Sequence, residues 1–190
     1  MIKKKLLTIL KKDLKYPYDM ESGIDQRGFA SLLEKKSVDL IKKNFEEAKI
    51  PESVRSIEDI MINENLIDIK TTDIDKEFKM PNLISIDRLK KNYKDKNIIY
   101  IFISYSPSKK KIVDIDIFYI WEISWNNLAI QNLGKGQIQI KNMKNFINSN
   151  NINEYNKDSW YKELHNNGIL FYESLFLKTK KYLSDWKKYD

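Results

Sequence analysis

Apolar and polar side chains alternate over two neighbouring stretches in the first half of the chain, residues 56–62 and 66–72. Both stretches are rich in isoleucine, and the turn-prone Asn63-Glu64-Asn65 separates them. Short β-branched runs on either side of such a turn predict a β-hairpin. We take this hairpin as the centre of the chain.

The two faces of the second strand differ in character. Because successive side chains of a strand point to opposite faces, Ile67 and Ile69 are expected in a core, with Asp68 and Lys70 together on the other side. An acid and a lysine in this relation, with a further acid on the neighbouring strand, suit attack on a phosphate. The competing interpretation is a half-buried amphipathic hairpin whose charged face is solvated.

The remaining pattern predicts helices and strands in alternation, and therefore an α/β fold. Helices are predicted at 1–15, 27–49, from Pro81 to about 93, and from 158 to 188 with a break near 166–168. Strands are predicted at 97–105, 111–123 and 138–141. We expect a single domain over 1–190, with a helical lead-in (1–50), a catalytic sheet core (56–141) and C-terminal helices (157–190).

The composition of the 190 residues excludes several classes of site. Without cysteine, the chain has no disulfide, no thiolate zinc site and no cysteine nucleophile. The single histidine, His165, lies in a helical tail, which argues against histidine-metal nucleases and serine–histidine triads. The apolar runs are too short to span a membrane, and the lysine-rich start lacks the features of a signal peptide. We therefore expect a cytoplasmic protein with no membrane partner.

A net charge of +7 favours a polyanionic partner such as DNA. Hydrolysis of a phosphodiester requires neutralisation of the phosphate and a nucleophile made from water. Mg²⁺ held by carboxylate oxygens serves both needs, and a lysine beside it can orient the water or stabilise the transition state. The hairpin is thus a candidate Mg²⁺ site.

Whether two further acids take part in the site depends on structure beyond the second strand. The first-strand ligand depends on the hairpin register: pairing of Asp59 with Lys70 places Asp59 on the catalytic face, and a shift by one residue places Glu58 there. We favour Asp59. Glu34 lies on the otherwise apolar stripe of the helix at 27–49. It is either an edge glutamate paired with a lysine or a residue directed at the same metal site as Asp68.

Asp59, followed after eight residues by Asp68-Ile69-Lys70, resembles the PD-(D/E)xK nucleases, and 68–72 is similar to that motif in type II restriction endonucleases. The resemblance covers 27–141, and Glu58 stands where the family usually has proline. It implies a restriction-endonuclease-like fold, with a central mixed β-sheet flanked by helices. It also implies that Asp59, Asp68 and Glu34 bind Mg²⁺ and that Lys70 assists the water.

The resemblance further implies an endonuclease that cuts double-stranded DNA. The protein would act as a homodimer, or as the small catalytic subunit of a heterodimeric restriction enzyme beside a larger DNA-recognition subunit. Four residues near a Gly-Lys-Gly turn are candidates to face the DNA: Lys135, Gln137, Gln139 and Lys141. The alternative function is a non-catalytic basic DNA-binding or assembly protein whose hairpin charges are only surface.

Overall fold

The computed structural model describes residues 2–17, 26–53, 56–76, 81–131, 136–148 and 156–188. The chain divides into two compact units. The first unit comprises Met1–Lys79 and Asn92–Ile120, and the second comprises Met80–Lys91 and Trp121–Asp190. Helices and strands mix in both, which confirms the α/β class. The single-domain organisation stays a prediction.

The helices are α1 (Ile2–Asp13), α2 (Gln26–Asn44), α3 (Ile86–Asn92), α4 (Met143–Asn148) and α5 (Lys157–Trp186). The strands are β1 (Ala48–Lys49), β2 (Ile60–Ile62), β3 (Asn65–Asp73), β4 (Asn82–Ser85), β5 (Asn97–Ser106), β6 (Lys111–Tyr119), β7 (Leu128–Gln131) and β8 (Gln137–Ile140). Within the described part of the chain, none of the helices is both long and apolar enough to cross a membrane.

The first unit contains a five-stranded mixed sheet in the order β1-β2-β3-β5-β6. Strands β3 and β5 are parallel, and the other neighbouring pairs are antiparallel. Every residue of β5 after Asn97 is buried, as its nearly unbroken apolar sequence predicts for the middle of a sheet. The predicted mixed sheet is therefore present.

One face of this sheet forms the core of the first unit. The register aligns Ile69, Ile101 and Ile117 across three strands, and they pack in one cluster with Leu10 of α1 and Ile41 of α2. Alternation then sends the intervening residues of β3 to the opposite face. The core thereby determines which side of the sheet carries the charged residues.

The second unit is built around a three-stranded antiparallel sheet in the order β4-β8-β7 and the first half of α5. Asn156 caps α5, since its side-chain oxygen accepts a hydrogen bond from the Ser159 amide at 2.9 Å. Trp160 is fully buried, and its indole N–H donates to the Ile123 carbonyl at 2.7 Å. Its ring lies 4.9 Å from that of Trp125. These contacts anchor the start of α5.

Two predicted helices and the predicted sheet core differ from the structure. The helix at 27–49 ends earlier, at Asn44, because Ala48 pairs with Ile62 and begins a strand. The helix from Pro81 is wrong over 82–85, which forms β4 and pairs with β8. The predicted core at 56–141 is consequently divided between two sheets, since β8 belongs to the second unit.

The predicted break of the last helix near 166–168 is also wrong, since α5 is continuous. Gly168 is buried, and a Cβ at its position would lie 3.8 Å from the Ile86 side chain. The Asn167 side-chain amide donates to the Glu163 carbonyl at 2.8 Å. Two residues that usually interrupt helices are thus accommodated by packing and by a local hydrogen bond.

Candidate active site

The predicted hairpin is present and carries Asp68 and Lys70 on one face. Strands β2 and β3 are antiparallel, with Ile60 opposite Ile67, and Asn63 in the turn adopts φ 51°, a conformation that asparagine tolerates better than most residues. Ile67 is completely buried in the core. The side chains that alternate with it therefore project from the other face of the sheet.

The hairpin register places Asp59 beside Asp68. Ile60 pairs with Ile67, so the next position of the antiparallel ladder places Asp59 opposite Asp68. The pairing of Asp59 with Lys70 that the sequence analysis considered does not form. The Asp59 amide donates to the Ile67 carbonyl at 2.8 Å, and its carboxylate accepts from the Ile69 amide at 2.6 Å. Asp59 thus reaches the charged face through a different register.

Glu58, the alternative first-strand acid, has a different partner. Its carboxylate accepts a hydrogen bond from the neighbouring Ile57 amide at 3.1 Å. The electrostatic neighbours of Asp68 are Lys70 and Asp59. The structure therefore brings Asp59, and not Glu58, against Asp68.

Asp68 and Lys70 form a partly buried ion pair. The Lys70 Nζ donates to Oδ1 of Asp68 at 2.9 Å and lies 2.8 Å from Oδ2. Both carboxylate oxygens of Asp68 therefore lie against the Lys70 ammonium, and only the contact with Oδ1 has hydrogen-bond geometry. The lysine side chain is 27% exposed and the aspartate side chain 9%.

Burial raises the pKa of Asp68 to about 7, although Lys70 lowers it through its charge and its hydrogen bond. Asp59 adds to the increase through its negative charge and through a hydrogen bond between the two carboxyl groups. The cost of removing a carboxylate from water thus exceeds the attraction of one ammonium. A buried acid that titrates near neutrality is typical of functional sites, although structural ion pairs also perturb pKa values.

Glu34 approaches the same group of charges from α2. Its Oε1 lies 3.5 Å from the Thr71 hydroxyl, at the outer limit of a hydrogen bond. Partial burial raises the pKa of Glu34, and the charge of Asp59 raises it further, whereas Lys70 and Thr71 oppose the increase. Thr71 is a contact that the sequence reasoning missed, although its position next to Lys70 on a strand directs it towards the helices.

Three predicted residues therefore come together on one face of the sheet: Asp59, Asp68 and Lys70. Glu34 lies on the side of α2 and interacts with Asp59 and Lys70 through its charge. Over the ranges that the structure describes, no group of three or more histidine, cysteine, aspartate or glutamate side chains is placed to hold a metal ion. Magnesium commonly binds through one or two carboxylates, with water and substrate oxygens completing its shell. The carboxylate pair Asp59–Asp68 fits that donor set, and a third ligand from Glu34 stays a prediction.

The predicted DNA-facing residues lie in the second unit, except that Lys135 falls outside the described residues. Gln139 is buried, and its side-chain amide donates to the Asn82 side-chain oxygen. Lys141 is exposed, and its Nζ donates to the Asn126 carbonyl at 3.2 Å. Gln137 is half-buried at the start of β8. Gln139 therefore has a structural partner already, which its sequence position did not reveal.

Comparison with known proteins adds no relative to this picture. The sequence matches no protein-family model, and no curated protein is similar enough to count as a match.

Proposed function

We propose that the protein is a Mg²⁺-dependent endonuclease that hydrolyses phosphodiester bonds of double-stranded DNA. The observation that carries the proposal is the convergence of two carboxylates and one ammonium, Asp59, Asp68 and Lys70, on one face of a hairpin. Their sequence spacing alone left a solvated charged surface open as the alternative. A solvated surface does not account for an aspartate side chain that is only 9% exposed.

Each residue of the group has a chemical role in this proposal. Asp59 and Asp68 would hold the metal ion through their carboxylate oxygens, and Glu34 would complete the ligand set. When bound, Mg²⁺ lowers the pKa of water and neutralises negative charge on the phosphate. Lys70, 2.9 Å from Asp68, is held where its ammonium can orient a water molecule or stabilise the charge that develops on the phosphate.

The proposal includes a restriction-endonuclease-like arrangement of the first unit. Its support is the order of elements: helix α2 with Glu34, the β2–β3 hairpin with the acids and the lysine, and β5 parallel to β3. We further propose that the protein works in the cytoplasm on DNA, as a homodimer or as the small catalytic subunit of a heterodimeric restriction enzyme.

The test is cleavage of supercoiled plasmid by the purified protein with Mg²⁺, with and without EDTA. The Lys70→Ala variant should lose at least about a hundredfold in rate, because the ammonium is removed from the developing charge. Lys111→Ala is the matched control, since Lys111 is an exposed lysine of the same sheet, and it should cut like the unaltered protein. Equal cleavage by both variants would remove Lys70 from the mechanism.

The second candidate function is non-catalytic DNA binding, which the net charge of +7 favours. It predicts salt-sensitive binding and no metal-dependent cleavage. Each candidate has its own readout, because Asp68→Asn should abolish cleavage under the first and leave DNA binding unchanged under the second. A protein that binds plasmid but never cuts it, alone or with the product of a neighbouring gene, would favour the second.

A further inference from the structure

The second half of α5 exposes an unusual amount of apolar surface. Up to Gly168 the helix contributes buried residues to the second unit, but beyond it most large apolar side chains are exposed. Phe176 is 66%, Leu183 56% and Trp186 76% exposed. Of the large hydrophobic residues that are exposed in the described chain, only Ile50 and Val113 lie outside this half-helix.

The exposed residues follow a heptad pattern. Steps of three and four residues connect the following stripe: Ile169, Tyr172, Phe176, Thr179, Leu183 and Trp186. Leu170 and Leu177 widen it on one side. At 1.5 Å per residue the stripe is about 27 Å long. Such spacing is the pattern with which one helix packs along another.

We propose that this stripe is the interface with a second copy of the same chain, bound antiparallel along α5. The stripe is complementary to itself in that direction. When Phe176 faces Thr179 of the second copy, Tyr172 meets Leu183 and Ile169 meets Trp186, so that large and smaller residues alternate along the seam.

The charged residues beside the stripe favour the antiparallel orientation. Glu173 and Lys180 flank it on the same side, seven residues apart. In the antiparallel alignment Glu173 of each copy lies beside Lys180 of the other, which gives two symmetric pairs of opposite charge. In a parallel alignment their neighbours would be Gly168 and Leu175, and no such pair would form. Charges in these flanking positions determine partner choice and orientation in paired helices.

The area of the patch also agrees with a self-association surface. An aromatic side chain covers about 150–250 Å², so Phe176 and Trp186 together expose roughly 300 Å² per copy. With the neighbouring aliphatic and tyrosine side chains the patch is on the order of 800 Å², the share of each partner in a standard interface. The largest apolar patch of a typical monomer is smaller, about 300–600 Å².

The test is the solution mass of the full chain by sedimentation equilibrium over a wide concentration range. We expect twice the monomer mass of 22.7 kDa. Phe176→Lys should give the monomer mass, because it buries a charge in the seam, whereas Lys181→Glu, on the opposite side of the helix, should not. Because both positions are exposed, neither substitution disturbs the packed part of α5, which circular dichroism will verify.

A charge exchange tests the antiparallel orientation itself. Glu173→Lys and Lys180→Glu should each weaken the dimer about tenfold, since each replaces two attractive pairs with two repulsive ones. The double variant should restore the original affinity. A monomer at every concentration, or a dimer indifferent to Phe176→Lys, would overturn the proposal. A double variant that dimerises as weakly as the single variants would also overturn the proposal. Cleavage is measured separately, so a monomer that cuts DNA contradicts only the dimer. A dimer that stays inert even with the product of a neighbouring gene contradicts only the nuclease.

Discussion

Replacement of Asp68 by asparagine should stabilise the metal-free protein at neutral and alkaline pH while it abolishes cleavage. The pKa of Asp68 is raised from 3.8 to about 7, chiefly by burial. The native state therefore keeps this proton to a higher pH than the unfolded chain does. The free energy of unfolding must fall as the pH rises between those two values, and above pH 7 the loss is complete. Asparagine is neutral at every pH and therefore avoids this loss of stability.

The size of the gain follows from the shift. Each pKa unit corresponds to about 1.4 kcal/mol, so a shift of roughly three units limits the gain to about 4 kcal/mol. The attraction of Lys70 is already part of this shift, because it lowers the pKa that burial raises. We therefore expect a stabilisation of at most about 4 kcal/mol at pH 8, which shrinks towards zero near pH 4.

The assay is urea unfolding in EDTA at several pH values from about 4 to 8. It should be followed by circular dichroism, because all four tryptophans lie in the second unit. Asp114→Asn is the control: Asp114 is a partly exposed acid of the same sheet, paired with Lys11 at 2.9 Å, and its loss should change stability by less than about 1 kcal/mol. The difference in unfolding free energy between Asp68→Asn and the unaltered protein should grow with pH. If it does not, burial is not the dominant cause of the raised pKa of Asp68.

Four further predictions concern other positions. Glu34→Gln should slow plasmid cleavage about tenfold without loss of DNA binding, because its charge lies close to Asp59 and Lys70; an unchanged rate would exclude Glu34 from the site. Hydrogen bonds from Ser108 hold the pKa of Asp75 below its usual range, so Asp75→Asn should lower stability at neutral pH. The difference should disappear as the pH falls through the native pKa of Asp75, and thermal unfolding at a series of pH values will measure it. Gly168→Ala should stabilise α5 by up to about 1 kcal/mol, since a Cβ there makes only ordinary contact. Gly136→Ala, at φ 80° and with a Cβ 2.9 Å from the Ile86 side chain, should instead destabilise by at least about 1 kcal/mol in the same urea assay.

The sequence by itself was sufficient for the hairpin and for the relation between Asp68 and Lys70. Both depend on local rules: isoleucines at alternate positions, a turn-prone Asn63-Glu64, and the strand period of two residues that sends Asp68 and Lys70 to the same face. The buried strand β5 could also be predicted from the sequence, because an apolar run of its length suits the middle of a sheet. The α/β class followed from the alternation of such segments with predicted helices.

The hairpin register and the group around Asp68 were decided by tertiary structure. The partner of Asp59 depends on which residues pair across the hairpin, and a change of two positions replaces Lys70 with Asp68 as its neighbour. Glu34 meets Thr71 only because α2 packs on β3. The raised pKa of Asp68 is a property of burial, which no local pattern encodes.

Tertiary contacts also explain why two secondary-structure predictions in the second unit are wrong. Residues 82–85 have a pattern that fits a helix, but pairing with β8 makes them a strand. Asn167 and Gly168 are residues that interrupt an isolated helix, yet α5 continues through them because Gly168 fits against Ile86. The predicted break in the last helix concealed the continuity of α5. The apolar stripe beyond Gly168 was therefore not recognised from the sequence. Periodicity specifies what a segment prefers locally, whereas pairing and burial depend on residues distant in the chain and decide which preference prevails.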